Sequence, residues 1–234
     1  MIRFDDFERL GLRLAGISDR SDGDCGWNTE SGPANRKTLA GRLGLDPTQL
    51  IGARQVHSAS VSVVTRADCG RGSLHREDAV PQSDALIARD RDVVLTILVA
   101  DCVPVYLVDQ TTGAIGLVHA GRLGTELDIV GATVDAMIRE LGANPREMHA
   151  LIGPSAGPER YEVSEEMACA WASRGLPGSG RMINLWDANK LQLVRAGVPA
   201  INIHVTSICT LSDPRFFSHR MDRSGRRNMA FLLA

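Results

Sequence analysis

Apolar residues in two kinds of pattern predict a series of β-strands. Residues 54–64 alternate between apolar side chains and serines, with His57 on the apolar face, which is the period of a half-buried strand. Residues 92–99 are apolar after their first residue except for Thr96, which is typical of a strand buried on both faces. Further strands are predicted at 84–88, 113–120, 147–154 and 201–210.

A third pattern, with an apolar residue at every third or fourth position, predicts a helix after residue 125. The hydroxyl of Thr125 is expected to cap its start, with Asp128 three positions later as in a capping box, and Gly142 is expected to end it. The apolar stripe of this helix consists of Leu127, Val130, Val134, Ile138 and Leu141.

Polar capping residues predict two more helices. Ser164 is expected to begin a helix that runs to about Ser173, and Asn184 to begin another that Gly197 ends. Stretches rich in Gly, Ser, Asp and Asn are interpreted as loops, at 17–35, 66–82 and 176–180. Strands and helices do not alternate regularly in the first hundred residues, and no loop resembles an interdomain linker. We therefore predict an α/β (α+β-like) fold, a single domain with mixed β-sheet layers flanked by helices.

Composition narrows the class of protein. The chain of 234 residues is 44% hydrophobic and 23% charged, as expected for a globular protein, and its net charge of -2 argues against a nucleic-acid partner. No apolar run approaches the ~20 residues of a membrane span, and the segment MIRFDDFERL lacks the apolar core of a signal peptide. Five cysteines without a C-x-x-C pair fit reduced thiols. We expect a cytoplasmic protein with no membrane partner.

Two histidines and one cysteine form the principal candidate metal site. Taken singly, His57 suits a hydrogen-bonded core histidine, and Cys102 in the run LVADCVPVYLVD suits a small buried hydrophobe. His119 ends a strand before a glycine-flanked turn, where binding residues gather. Together they are a three-ligand set for zinc that leaves a coordination position for water or substrate. Their spacings of 45 and 17 residues match no zinc finger, so the site depends on the fold bringing them together.

Three other features each have a functional and a structural interpretation, and the residues alone do not decide between them. The turn AGRLGT around Arg122 suits an anion such as phosphate, or a tight turn without a ligand. The segment 209–227 mixes phenylalanines with arginines, which suits stacking on bases and binding of phosphates, or a solvated basic loop over core side chains. Asp101 beside Cys102 suits a general base or a group that orients the site, or a structural carboxylate bonded to backbone.

Six segments between about residue 50 and the end carry a family resemblance: RQVHSASV, SDALIA, VADCVPVYLVD, GLVHAGRLGT, LIGPSAGPERYEV and ICTLSDPRFFSHRMDRSGRRNMAFL. In these segments and in their order, the chain resembles the bacterial polyphenol oxidase or laccase-domain family, also described as multifunctional purine nucleoside phosphorylases. The resemblance implies one layered domain over 1–234 and a catalytic zinc held by His57, Cys102 and His119. It also implies phosphorolysis of adenosine, inosine, guanosine and methylthioadenosine, and deamination of adenosine.

Further site residues are predicted within this resemblance. Asp101 and Glu162 are candidates for acid–base chemistry beside Cys102. The predicted contacts to the purine nucleoside and phosphate are Arg54, Arg122, Asn28, Phe217 and Arg220. The family usually has HAGWRG where this chain has HAGRLG, which predicts a changed phosphate or substrate contact near Arg122. The CGWNTES segment, with Asn28, is a weak counterpart of the family's SLNL motif.

Two alternatives remain beside the zinc enzyme. Copper-linked phenol oxidation is the family's older label, but six histidines without an H-x-H pair argue against a four-copper site. One copper ion at the His/Cys set stays open because imidazole and thiolate bind copper well. The HAGRLG change also leaves open a degenerate, non-enzymatic homologue that acts as a binding or scaffold protein.

Overall fold

The computed structural model describes all 234 residues, and most of its strands form two large sheets. The strands are β1 (Ile2–Arg3), β2 (Leu14–Ile17), β3 (Leu50–Gly52), β4 (Val61–Val63), β5 (Ala85–Ala88), β6 (Val94–Val99), β7 (Val103–Asp109), β8 (Ile115–Ala120), β9 (Met148–Ile152), β10 (Gly178–Ser179), β11 (Met182–Ile183), β12 (Ile203–Val205) and β13 (Asn228–Leu233). The α-helices are α1 (Asp5–Glu8), α2 (Gly32–Arg42), α3 (Arg122–Glu126), α4 (Ile129–Leu141), α5 (Glu165–Ser173), α6 (Leu185–Arg195) and α7 (His219–Asp222).

Both large sheets mix parallel and antiparallel strands, as the irregular order of elements predicts. The five-stranded sheet has the order β1-β2-β13-β6-β3, and only its β3–β6 pair is parallel. The six-stranded sheet has the order β12-β9-β7-β8-β5-β4, with parallel pairs only at its two edges. The strands β10 and β11 form a separate small hairpin.

Three apolar clusters show how the layers stack. One cluster lies between the two sheets and joins residues such as Leu95 of β6 to Leu117 of β8. A second covers the outer face of the six-stranded sheet with helices, where Val134 of α4 is buried. A third packs Leu39 of α2 against the outer face of the five-stranded sheet. The order helix, sheet, sheet, helix confirms the predicted fold class of sheet layers flanked by helices. No helix combines the length and apolar character that crossing a bilayer requires.

The apolar run from 93 to 109 changes sheets in its middle. Strand β6 belongs to the five-stranded sheet and β7 to the six-stranded one, and Ala100, Asp101 and Cys102 form the corner between them. Asp101 has a φ of 81° there. Its Oδ1 accepts the hydroxyl of Thr210 at 2.7 Å and its Oδ2 accepts the backbone N–H of Arg220 at 2.7 Å. The carboxylate therefore links the corner to the C-terminal segment, and Cys102 follows directly.

The locally capped helices are confirmed, but two predicted strands are mostly wrong. The hydroxyl of Ser164 caps α5, the amide of Asn184 caps α6, and Gly142 follows α4 in the left-handed region. Of residues 54–64 only Val61–Val63 form a strand, because residues 56–58 are instead bonded to a carboxylate described below. Of residues 201–210 only Ile203–Val205 do, because a 3-10 turn occupies Ala200–Asn202 and Ser207 lies in the left-handed region with a φ of 54°.

Two helix starts also differ from the expectation. Thr125 does not cap the long helix, because the chain already forms α3 there and breaks at Asp128. Asp128, at φ 59°, caps α4 by accepting the N–H of Gly131, and Leu127 is left 58% exposed. The predicted loop over 17–35 contains the first residues of α2, whose Gly-Pro start lacks an apolar period.

Candidate metal centre and its cavities

His57, Cys102 and His119 converge on one point. The nitrogen or sulfur atom that each can offer to a metal lies within 4.8 Å of the other two, and the imidazole centroids are 4.8 Å apart. Cys102 stands at the corner before β7, and His119 at the end of the neighbouring β8. No other group of three His, Cys, Asp or Glu side chains is arranged in this way. The predicted triad is therefore assembled in the structure, although His57 lies on an exposed turn and not on a strand.

A buried carboxylate that sequence reasoning missed holds two of the three ligands. Asp84, at the start of β5, accepts His119 Nδ1 at 2.9 Å through Oδ1, which leaves His119 Nε2 as the nitrogen available to a metal. The same carboxylate accepts the backbone N–H groups of Val56, His57 and Ser58 at 2.8–3.1 Å. These bonds stabilise the φ of 61° at His57, which is unusual for a residue with a side chain. The only sequence signal was an acid directly before the apolar run ALIA.

Interactions in the site shift the pKa values of Cys102, His119 and Asp84 toward their charged forms. Burial raises the pKa of Cys102, but the charges and hydrogen bonds of His119 and His57 outweigh it and lower the value to about 6. Burial lowers the pKa of His119, but Cys102 and Asp84 raise it to about 9. Burial raises the pKa of Asp84, but bonds from His119 and Ser58 lower it to about 2. A thiolate at neutral pH is the form in which cysteine binds metals.

The space beside the sulfur of Cys102 admits only glycine at position 121. A Cβ atom placed at this position would lie 2.7 Å from Cys102 Sγ and 3.3 Å from His57 Cδ2. Its backbone φ of -73° is available to every residue, so contact and not conformation demands glycine here. His57, Cys102 and His119 thus bring two imidazoles and one thiolate together in a closely packed site. This donor set suits an ion such as Zn²⁺ or copper.

Two cavities border this centre. The first, of about 310 Å³, is lined by Trp27, Asn28, Gln55, His119 and Arg227 among others. The second, of about 230 Å³, is lined by Arg122, Leu123, Tyr161 and Arg220 among others. Both include His57, Cys102 and His219, so a ligand in either cavity meets the candidate metal ligands. His219, an exposed residue at the start of α7, was not singled out from the sequence.

The second cavity contains two of the predicted phosphate or substrate residues. Arg122 Nη1 donates to Glu126 at 2.7 Å, one turn along the chain. The guanidinium of Arg220 lies 5.1 Å from the ring centroid of Tyr161, and its Nη1 donates to the carbonyl of Glu162 at 2.8 Å. Both cations are therefore held in place at the edge of the cavity.

The remaining predicted residues are scattered. Asn28 is exposed and lines the first cavity. Phe217 is 4% exposed, and the guanidinium groups of Arg20 and Arg226 lie 4.7 and 5.0 Å from its ring centroid. Glu162 pairs with Arg181 at 3.2 Å, and neither Glu162 nor Arg54 lines the two cavities.

Fold and site define a two-sheet α/β protein with one His–Cys–His centre. The family model described as "Multi-copper polyphenol oxidoreductase laccase" matches residues 22–234, and the chain belongs to this family.

Proteins similar to this chain are named purine nucleoside phosphorylases. The chain is 35% identical over 212 residues to "Purine nucleoside phosphorylase YlmD" of Geobacillus stearothermophilus, covering 85% of this chain and 77% of that protein. It is 36% identical over 232 residues to a "Purine nucleoside phosphorylase" of Xylella fastidiosa (strain 9a5c), covering 92% of this chain and 85% of that one. The crystal structure of YlmD from Geobacillus stearothermophilus superposes with a TM-score of 0.86 at 31% identity, covering 94% of this chain and 91% of the other.

Proposed function

We propose that the protein is a zinc-dependent purine nucleoside phosphorylase of the cytoplasm. The convergence of His57, Cys102 and His119 between two cavities carries this proposal. Relatives named purine nucleoside phosphorylase, at about 35% identity, support the reaction class. The substrates we propose are phosphate and adenosine, inosine, guanosine or methylthioadenosine.

The three ligands would hold the metal, and other residues would orient them. A zinc ion held there would supply Lewis acidity toward an oxygen of the substrate. Asp84 holds His119 by its Nδ1 atom, so the imidazole presents Nε2. Asp84 also holds the turn of His57 through three backbone N–H groups. The centre is thus built before any ligand arrives, which reduces the entropy cost of assembling it.

Arginines of the second cavity are our candidates to bind phosphate. In phosphorolysis an oxygen of phosphate bonds to C1′ of the ribose, the bond from C1′ to the purine nitrogen breaks, and the purine takes up a proton from solvent. Arg122 and Arg220 would place the anion, because guanidinium groups match its oxygens in pairs. Asp101 would orient Arg220 through its backbone N–H. Glu162, Arg54 and Phe217 line neither cavity, so we assign them no contact with substrate.

Product analysis tests the proposal. Metal-analysed protein is incubated with adenosine or inosine, with and without phosphate, and the free base, inosine and ribose 1-phosphate are separated by chromatography. We expect free base and ribose 1-phosphate only with phosphate, and loss of both in Cys102→Ala. The exposed Cys169 supplies the matched control, since Cys169→Ala leaves the centre intact. Equal, zero turnover in wild type and Cys102→Ala would reject the enzyme and favour the degenerate homologue.

The same incubation addresses the other activities. Inosine formed from adenosine without phosphate would establish deamination as a further activity of the site. The family description favours one alternative, a phenol oxidase with copper at the same three ligands. Stoichiometric copper together with oxidation of a phenol, and no change in any nucleoside, would replace the phosphorylase by that oxidase.

A further inference from the structure

An indole ring forms part of the wall of the first cavity. Trp27 lies in the CGWNTES segment before α2 and is half-buried. The guanidinium carbon of Arg36 lies over the ring, 4.8 Å from its centroid. The Cζ2 edge lies close to Gly52, where an added Cβ would be 3.1 Å away, and Nε1 is buried without a partner. Because these sides are covered, the exposed part of the ring faces the cavity.

The cation behind this indole has an unusual environment. Arg36 on α2 is wholly buried, and its Nη2 donates to the carbonyl of Gly72. Its Nε and Nη1 have no partner, and it forms no salt bridge. Burial lowers its pKa to about 10. A buried cation without a carboxylate is costly, and the indole ring supplies part of the missing attraction. The pair therefore holds the indole in one orientation.

We propose that Trp27 is the platform on which the purine base of the nucleoside stacks. This inference rests on the proposed function and adds which side of the centre takes the base. A flat aromatic face held from behind is what a planar heterocycle stacks on, whichever purine it is. The amide of Asn28, the next residue, has no hydrogen bond within the protein and lies in the same cavity, where it can reach the edge of a base.

Tyr161 in the second cavity supplies the other aromatic ring on which a base could stack. Tyr161 in the second cavity carries Arg220 on its ring and has Arg122 nearby, so its surroundings favour an anion. The first cavity is lined by Arg76 and Arg227, but neither guanidinium lies over the ring of Trp27, whose cation is the buried Arg36. The first cavity is also the larger, at about 310 against 230 Å³. We therefore place the base on Trp27 and the phosphate on the side of Tyr161.

Steady-state kinetics with inosine and phosphate test this placement. Trp27→Leu removes the aromatic face, and we expect its KM for inosine to rise about tenfold, with the KM for phosphate unchanged. Trp27→Phe keeps an aromatic face and should restore most of the affinity. Tyr161→Leu is the matched variant of the second cavity, and we expect it to leave the KM for inosine within about twofold.

Fluorescence gives a second measurement that needs no turnover. Nucleoside stacked on Trp27 should quench its emission, and the quench should vanish in Trp27→Phe but remain in Trp186→Phe, because Trp186 lies outside the cavity and donates to Ser155. This arm also decides the case if Trp27→Leu does not fold. Two results would contradict the stacking on Trp27 while supporting the phosphorylase, provided that the wild type turns over nucleoside. One is a quench that persists in Trp27→Phe, and the other is a KM for inosine that rises only in Tyr161→Leu. A wild type that turns over no nucleoside would overturn both.

Discussion

The imidazole of His119 and the carboxylate of Asp84 form a buried pair, with Nδ1 and Oδ1 2.9 Å apart. The same carboxylate holds the turn of His57, so one residue orients two of the three candidate metal ligands. Asp84→Asn replaces one accepting oxygen by an NH₂ group that cannot accept these bonds. We expect zinc affinity to fall about 10- to 100-fold.

Competition with a chromophoric chelator measures that affinity. Asp109→Asn is the matched control, because Asp109 is equally buried and accepts bonds from Thr111 and Thr112 at the far end of β7. It should lower stability without changing zinc affinity. Equal affinity in wild type and Asp84→Asn would show that Asp84 does not orient the centre.

Gly121 leaves room for the sulfur of Cys102. In Gly121→Ala the new methyl group would lie 2.7 Å from that atom, so the thiol or the turn must move. We expect at least a tenfold loss of zinc affinity, equivalent to about 1.4 kcal/mol. Gly41→Ala in α2 is the control, since nothing lies within 4 Å of its Cβ position, and it should change stability by less than about 1 kcal/mol. An unchanged zinc affinity in Gly121→Ala would contradict the crowding.

Removal of the metal should expose a single thiol. In the proposed zinc form Cys102 would be a ligand and should resist iodoacetamide, and chelation should make it react because its thiolate is then free. Cys169 is exposed and should react in both states, whereas Cys25, which is wholly buried, should react in neither. Peptide mass spectrometry reads the three sites separately. Alkylation of Cys102 at the same rate with and without zinc would remove the sulfur from the ligand set.

The two interpretations of Asp101 can be separated through its partner Thr210. Asp101 Oδ1 accepts the Thr210 hydroxyl at 2.7 Å, and Thr210→Val deletes that bond without touching the carboxylate. A structural carboxylate predicts that Thr210→Val and Asp101→Asn both lose about 1–3 kcal/mol of stability. A general base predicts that only Asp101→Asn also loses kcat about 100-fold or more. Urea unfolding and kcat, measured on the same preparations, give the two quantities.

Cys25 makes the stability of the fold depend on alkaline pH. Burial raises the pKa of its thiol to about 11 from an ordinary value of 9.0. Between these values the unfolded chain has lost a proton that the folded one keeps, so the free energy of unfolding falls as pH rises from 9 toward 11. The two-unit shift corresponds to roughly 2–3 kcal/mol, fully present below pH 9. Cys25→Ala should flatten this decline, and an equal slope in both proteins, from urea unfolding at pH 8 to 11, would contradict it.

Sequence patterns were sufficient where the decisive contacts are local. Ser164 and Asn184 each bond to an N–H group three residues along the chain, so their caps needed no distant partner. Strands such as Ala85–Ala88 and Val94–Val99 are buried on both faces, and burial on both faces favours an almost continuous apolar run. The residue types of the metal triad could likewise be named, because few side chains bind zinc.

Contacts between distant segments decided the rest. Residues 54–60 alternate like a strand, but Asp84 accepts three of their N–H groups and bends the chain at His57 toward the other two ligands. A strand is predicted at 92–99 but none at 103–109, where the chain forms β7 of the other sheet. Bonds from Thr210 and Arg220 to Asp101 hold the corner between the two strands. The sequence by itself determined which elements are apolar enough to be buried and which side chains can bind a metal. Only the tertiary structure decided where those side chains meet. A buried carboxylate can accept hydrogen bonds from residues more than twenty positions away, and the local pattern of apolar residues does not predict such bonds.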